Sequence, residues 1–292
     1  MSIFKGLEPI IKQNCPLADY TWFGLGGNAE YLITPTTVNE LQRVVKRCNE
    51  NDLPMRVLGF GTNLLVSDEG VRGAVIKLQE QDFGKSRFND DYLTVGAGAG
   101  LNKVVLDCVR KGLSGLEALT GIPGSVGGAI RMNAGGNFGD IGTSVHSVTL
   151  MDADGKIFEK SKPELVFDYR WTNITAKFVL DAKITLAESD KEQMLRTLKE
   201  VWIYKKNSQP LNIRSAGCVF KNPRGLSAGA LIDRAGLKGL QIGAAQVSEK
   251  HANFIIAHKG CKSGDVQRLI EAVRERVKDK FSVELELELD IW

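Results

Sequence analysis

The chain has 292 residues, enough for two or three compact units with a large buried interior. Hydrophobic residues at 43% and charged residues at 25% exclude a disordered or fibrous chain, and a net charge of +3 without a long basic run or acidic tail gives no electrostatic support to a nucleic-acid or membrane-surface partner. The 5 cysteines lack CxxC spacing, which argues against both a disulfide framework and a zinc ribbon and fits a reducing compartment.

From the N-terminus, MSIFKGLEPIIK interrupts its apolar residues with Lys5, Glu8 and Pro9, so it has no signal-peptide core. No uncharged apolar run approaches the ~20 residues of a membrane span, and a soluble, cytoplasmic chain is expected. Thr37 and Glu40 have capping-box spacing, and Val38, Leu41, Val44, Val45 and Cys48 recur at helical intervals, predicting an amphipathic helix over 38–50. MRVL after Pro54 reads as a buried strand, GFGTN as a turn and GAVIKL at 73–78 as the next strand, giving a small α+β unit of 1–80.

A second unit, 81–205, opens with YLTVGAGAG as a strand running into glycine. A helix follows, with Asn102 as its expected cap, Val104, Val105, Cys108 and Val109 facing inward, and Gly112 as its stop. SVTLMDADGKIFEK reads as a hairpin turning at Asp154-Gly155, and FVLDAKITLA at 178–187 as another strand. A helix near 191–205 is expected to bury Met194, Leu195, Leu198, Val201 and Trp202, and Gln209-Pro210 marks a boundary before the last unit, 206–292. There, a short helix is expected after Ser227, ANFIIA is a strand, Ser263 is expected to cap a helix carrying Val266, Leu269, Ile270, Val273 and Val277, and VELELELDI alternates as a final strand. This sends Val283, Leu285, Leu287, Leu289 and Ile291 to one face and Glu284, Glu286, Glu288 and Asp290 to the other.

The 31 glycines cluster at 24–27, 58–63, 96–100 and 121–139. Each cluster alone could be ordinary turns, but four of them between strands point to backbone N–H groups approaching a large phosphate-bearing cofactor. A dinucleotide fingerprint is not the means, because Leu64 and Leu101 stand where GxGxxG needs its last glycine. His146 and His258 have no partner at metal-ligand spacing, so no metal is expected.

The set TWFGLGGNAEYLITP, LGFGTNLLVSDEG, GIPGSVGGAIRMNAGG, FDYR, SAGCVFKNP, QVSEKHANFI and the terminal LELEL, in that order across nearly the whole chain, resembles the UDP-N-acetylenolpyruvoylglucosamine reductase family in its shorter, second type. The resemblance implies an α+β fold of the vanillyl-alcohol-oxidase-like FAD-binding type: two flavin-binding subdomains, 1–80 and 81–205, and a C-terminal α+β substrate domain, 206–292. It implies noncovalent FAD, NADPH as co-substrate, a nucleotide-sugar substrate and a monomer. Flavin contacts are expected from Leu58, Gly59, Phe60, Gly61, Thr62, Asn63 and Leu64, from Gly121, Ile122, Pro123, Gly124, Ser125, Gly127 and Gly128, and from Asn133.

The same resemblance assigns Arg170, Cys218 and Glu288 to catalysis, and Tyr169, Arg214, Lys221, Asn222 and His251 to substrate contacts. Arg170 offers a planar cationic fork to a carboxylate, although residue type alone would allow a surface pair with Asp168. Strand parity leaves Glu286, roughly 7 Å from Glu288 on the same face, an equal candidate; only the resemblance selects Glu288. Cys218 stands where the family pattern has a serine proton donor. A thiol is a stronger acid than an alcohol and can deliver the same proton, while Cys15, Cys48, Cys108 and Cys261 read as small buried hydrophobes. His251 is equally readable as a hydrogen-bonded structural residue. Asn137 replaces an expected aromatic residue, and Ser208 an expected lysine. Another flavoenzyme on the same scaffold, or a nucleotide-binding protein with a redox-sensing thiol, remains open at this point.

Overall fold

The computed structural model describes residues 3–78, 80–89, 92–211 and 213–292. By its contacts the chain divides into two compact units, Met1–Gln13, Tyr31–Phe60 and Gly73–Tyr204 in the first, and Asn14–Glu30, Gly61–Arg72 and Lys205–Trp292 in the second. Helices and strands are interspersed in both, an α+β architecture.

In the first unit, Thr37 and Glu40 form the reciprocal capping box their spacing predicts, and the helix Val38–Glu50 follows, burying Leu41, Val44, Val45 and Cys48. Met55–Leu58 then lies parallel to Val71–Lys77, with Met55 opposite Ala74. An antiparallel five-stranded sheet carries the rest, in the order Ile157–Ser161, Val145–Met151, Phe178–Thr185, Tyr92–Gly96 and Ser86–Phe88. Asp152 accepts from the N–H groups of Asp154 and Lys156 and so closes the hairpin at the expected turn.

Several expectations are corrected by the structure, three of them as follows. The helix Leu101–Lys111 has Gly100, not Asn102, as its N-cap; the Asn102 carboxamide instead accepts from Gly121 N–H at 3.1 Å, tying the glycine-rich segment to the helix. Gly112 does stop that helix, in the left-handed conformation. The helix Lys191–Ser208 buries Met194 and Val201, but Leu195 and Trp202 are exposed, because the packed stripe follows 194, 198 and 201 rather than the wider face. The third correction concerns the C-terminal strand and is described with the site.

In the second unit, Gln241–Ile242, Ala245–Val247 and Ile255–Ala257 make a three-stranded antiparallel sheet, packed by the helix Ser263–Phe281 and the short helix Ala228–Arg234. The short helix follows Ser227 as expected, and Ser227 caps it by accepting from Ala230 N–H at 3.2 Å. Ser263 lies inside the first turn of the long one and its Oγ accepts from Asp68 N–H at 2.9 Å, while Asp68 accepts from Ser263 N–H at 3.0 Å and Asp265 from Lys262 N–H at 3.1 Å. The capping carboxylates therefore come from Asp68, far away in sequence, and from within the helix. Phe23, Leu65, Phe220, Leu231, Val266 and Leu269 belong to the core of this unit, and Phe178, Leu93, Val148, Leu150, Ile76 and Leu101 to that of the first.

Among the described residues, no helix is long and apolar enough to cross a membrane.

Candidate active site

The first unit contains a partly open cleft with a cavity volume of about 120 Å³. Val57, Leu58, Phe60, Leu78 and Val179 give it aliphatic and aromatic walls; Gly59, Ala97, Gly98, Gly127 and Gly128 line it with backbone. Glycine is required where two walls meet: a Cβ on Gly127 would lie 2.7 Å from Ala97 Cβ, and one on Gly59 2.8 Å from Ser125 Oγ. Ser125 caps the turn of helix Val126–Arg131 by accepting from Gly128 N–H at 3.3 Å. The charged groups of the lining are Arg131 and Lys177, both cations. Exposed backbone, close glycine approach and positive charge fit a diphosphate-bearing group.

Of the expected flavin contacts, Leu58, Gly59, Phe60, Ser125, Gly127 and Gly128 share this cleft. Gly61, Thr62, Asn63 and Leu64 fall in the second unit, where Gly61 passes so close to the chain that a Cβ would meet Tyr20 O at 2.0 Å. Asn63 donates to Glu288 O at 2.9 Å, and Leu64–Leu65 pairs in parallel with Asp290–Ile291. Gly121, Ile122, Pro123 and Gly124 form the turn ahead of Ser125, with Gly124 O accepting from Leu101 N–H at 3.0 Å. Asn133 is buried and bridges two backbone segments, donating to Asp168 O at 2.9 Å and accepting from Gly142 N–H at 3.0 Å.

That bridge fixes the base of a hairpin, Phe167–Asp168 against Trp171–Thr172, whose two tip residues are Tyr169 and Arg170. Tyr169 is exposed, and the Arg170 guanidinium carbon lies 5.1 Å from its ring centroid. Arg170 Nη2 donates to Gly135 O at 2.7 Å, and Arg170 itself is held at φ +54°, a left-handed conformation uncommon for a residue with a Cβ. Asn137 donates to Tyr204 Oη at 2.8 Å, and the neighbouring Phe138 packs edge-on against the Tyr204 ring, so an aromatic side chain stands one residue later than expected.

In the second unit, the stretch carrying Cys218 is clamped on both sides. Val219 N–H donates to Asn253 O, the Asn253 carboxamide accepts from Phe220 N–H at 2.9 Å and donates to Phe220 O at 2.7 Å, and Cys218 forms a bridge with Phe254. From the other side Glu288 N–H donates to Val219 O at 2.9 Å and Lys221 N–H to Glu286 O at 2.8 Å. Cys218 and Glu288 thus sit on adjoining pieces of chain in the same unit. Cys218 is half-buried, and so is Cys15, which was expected to be buried, whereas Cys48, Cys108 and Cys261 are buried and their thiols are pushed up by burial to about 11, about 12 and about 11.

The predicted strand over 283–291 is mostly extended chain outside any ladder, with a bridge at Leu287 to Phe220 and a true strand only at Asp290–Ile291. Its partners are the irregular 219–221 turn and Leu64–Leu65, too short to sustain a continuous ladder. The alternation still decides burial: Leu285 and Leu289 are inside, Glu284 and Glu286 outside. Glu284 pairs with Lys278 at 2.5 Å, Glu286 with Lys221 at 2.5 Å, and Asp290 accepts from the Trp292 indole at 2.9 Å. Glu288 alone among these four acids is half-buried, a distinction that periodicity could not provide.

The remaining expected contacts are scattered through the second unit. The Arg214 side chain packs over Gly24, where a Cβ would meet it at 3.2 Å. Asn222 accepts from Ala228 N–H at 3.0 Å at the start of the short helix. His251 Nδ1 accepts from Asn253 N–H at 3.2 Å, its ring packs edge-on to Phe254, and burial pushes its pKa down, favouring neutral imidazole. Residues missed from sequence were Arg131, Lys177 and Asn253, of which Arg131 and Asn253 carried a signal, their places inside the GIPGSVGGAIRMNAGG and QVSEKHANFI stretches.

Residues 29–161 match the FAD binding domain model, and residues 209–292 match the UDP-N-acetylenolpyruvoylglucosamine reductase C-terminal domain model. UDP-N-acetylenolpyruvoylglucosamine reductase of Lachnoclostridium phytofermentans is 40% identical over 94% of this chain and 91% of its own length. The chain belongs to the UDP-N-acetylenolpyruvoylglucosamine reductase family. The enzyme of the same description from Heliobacterium modesticaldum is 40% identical over 96% of the chain and 90% of its own length. The crystal structure of UDP-N-acetylenolpyruvylglucosamine reductase (MurB) from Thermus caldophilus superposes with a TM-score of 0.84 at 41% identity, covering 97% of this chain and 98% of that one. As a member of the UDP-N-acetylenolpyruvoylglucosamine reductase family the chain is an FAD-dependent oxidoreductase, and the glycine-lined cleft lies among the elements of its FAD-binding fold.

Proposed function

We propose that this enzyme uses NADPH to reduce the enolpyruvyl group of UDP-N-acetylglucosamine enolpyruvate to the lactyl ether of UDP-N-acetylmuramate, a step of peptidoglycan precursor synthesis. The observation that carries the reading is the likeness at 40% identity along 94% of the chain, through both the FAD-binding part and the C-terminal domain. Bound FAD would supply the hydride, taken from NADPH, to the methylene carbon of the enolpyruvyl double bond. Noncovalent binding rests on the 58–64 loop, the 121–128 segment and Asn133, and the functional division follows 1–80, 81–205 and 206–292. The enzyme is a cytoplasmic monomer in this reading.

As hydride arrives, negative charge grows on the ether-bearing carbon and spreads into the substrate carboxylate. Arg170, always protonated and held at its hairpin tip, stabilises that charge. Cys218 gives the proton: its S–H bond breaks as a C–H bond forms at the ether-bearing carbon, and solvent returns a proton to the thiolate. Half-burial, which Cys218 shares with Cys15, together with its place next to the Val219–Glu288 backbone bond supports this role. Glu288 opposes a standing thiolate on the adjoining chain and keeps the donor protonated. Tyr169, Arg214, Lys221, Asn222 and His251 orient the nucleotide sugar.

Anaerobic turnover with NADPH and the enolpyruvyl nucleotide should give a product two hydrogens heavier by mass. NADPH consumption unchanged by the nucleotide would refute the reading. Cys218→Ser should stay active and Cys218→Ala should lose most turnover; full activity of the alanine variant removes Cys218 from the mechanism.

A further inference from the structure

The cleft of the first unit holds a cation for which none of the expected flavin contacts accounts. Lys177 lines it, half-buried, at the start of Phe178–Thr185. Among the described residues no carboxylate pairs with its ammonium group, while its charged neighbours are the guanidinium groups of Arg56 and Arg131. Burial and those two cations together push its pKa down, the electrostatic state of a site that lacks an anion.

Arg131, the other cation of the lining, is committed elsewhere. Its Nη1 donates to Ile174 O at 2.5 Å, and its Nη2 to Ala176 O and to Lys177 O, the latter at 3.3 Å. Three carbonyls of one bend accept from the guanidinium, so Arg131 shapes the 174–177 segment and fixes the backbone from which Lys177 projects. Ser125 Oγ is likewise engaged as a cap. Among the described residues, Lys177 is the cation of this lining whose charged group has no hydrogen-bond or ion-pair partner, in a cleft otherwise walled by aliphatic carbon and glycine backbone.

We infer that Lys177 is the charge partner of the cofactor's diphosphate, with Arg131 as the positioning residue that holds its bend. The inference rests on the FAD reading. The diphosphate is the only part of oxidised FAD charged at neutral pH, so a cation in an apolar cleft has one group to pair with. Ionic pairing in that setting strengthens binding by about tenfold or more and weakens as salt rises.

The test is titration of the full-length chain, stripped of flavin, with FAD, followed by flavin fluorescence at several salt concentrations, for wild type, Lys177→Met and Lys177→Arg. Circular dichroism and melting of each stripped protein verify folding. Lys177→Met, close in shape, should raise the dissociation constant for FAD about tenfold or more and flatten its salt dependence. Lys177→Arg should recover binding to within about threefold. Met and wild-type proteins that bind within twofold of each other overturn the inference, as does a loss that arginine fails to recover and that leaves the salt slope unchanged. A wild-type chain that takes up no FAD overturns the cofactor reading and this inference with it.

Discussion

Asn253→Ala tests how the Cys218 stretch is held. The carboxamide makes two hydrogen bonds to one residue, accepting from Phe220 N–H at 2.9 Å and donating to Phe220 O at 2.7 Å, with Asn253 only 3% and Phe220 only 2% exposed. Alanine leaves a buried donor and a buried acceptor unpaired, at about 1–3 kcal/mol each, so the expected loss is about 4 kcal/mol. That corresponds to a melting temperature lower by about 10 °C. Asn253→Asp does not rescue it, because its second oxygen would face Phe220 O. The assay is thermal and urea unfolding of the full chain, with amide exchange read at Phe220, whose protection should fall in step. A melting temperature within about 2 °C of wild type, or unchanged exchange at Phe220, would refute the claim that this carboxamide secures the turn.

Glu288→Gln should reduce turnover far more than Glu286→Gln, because Glu286 is exposed and its bond to Lys221 is a surface pair of little net worth; steady-state rates of the two variants decide it, and equal losses would return the choice to periodicity's tie. Asp181, across the sheet from Thr149, has its pKa raised chiefly by burial, and the Thr149 hydroxyl donates to it at 2.8 Å. A carboxyl whose folded pKa is raised binds protons more readily folded than unfolded, so it costs stability progressively as pH rises from the unfolded value to the folded one, and in full above that. Asp181→Asn keeps an acceptor for Thr149 and should therefore melt higher than wild type at pH 7, with the difference vanishing at pH values below the ordinary carboxylate range.

Local chemistry was legible where the chain itself supplies the partner. The helix Val38–Glu50 carries its own capping box and apolar stripe, and both stand as read. Asn102 and Ser263 look like caps by residue type, but one bonds Gly121 and the other bonds Asp68; a short polar side chain takes whichever orphan donor or acceptor the fold brings near. The face of Lys191–Ser208 was misjudged because a run of apolar residues wider than one stripe leaves the choice of buried side to packing. In the candidate site, the glycines at 59, 127 and 128 announced a backbone-lined cleft. Arg131 and Lys177 did not announce themselves as a pair, since two cations 46 positions apart acquire meaning only when a bend folds one onto the other's carbonyl. Glu288 was separable from Glu286 only by depth, a quantity fixed by the 219–221 segment that covers it.

At the tip of the 167–172 hairpin the main chain asks for glycine or asparagine, and the sequence answers with arginine. In the proposed mechanism, folding and turnover therefore place opposite demands on one codon. Variants of position 170 recovered for heat resistance alone should converge on glycine or asparagine, gaining about 1 kcal/mol, whereas growth that depends on the enzyme should restore arginine every time.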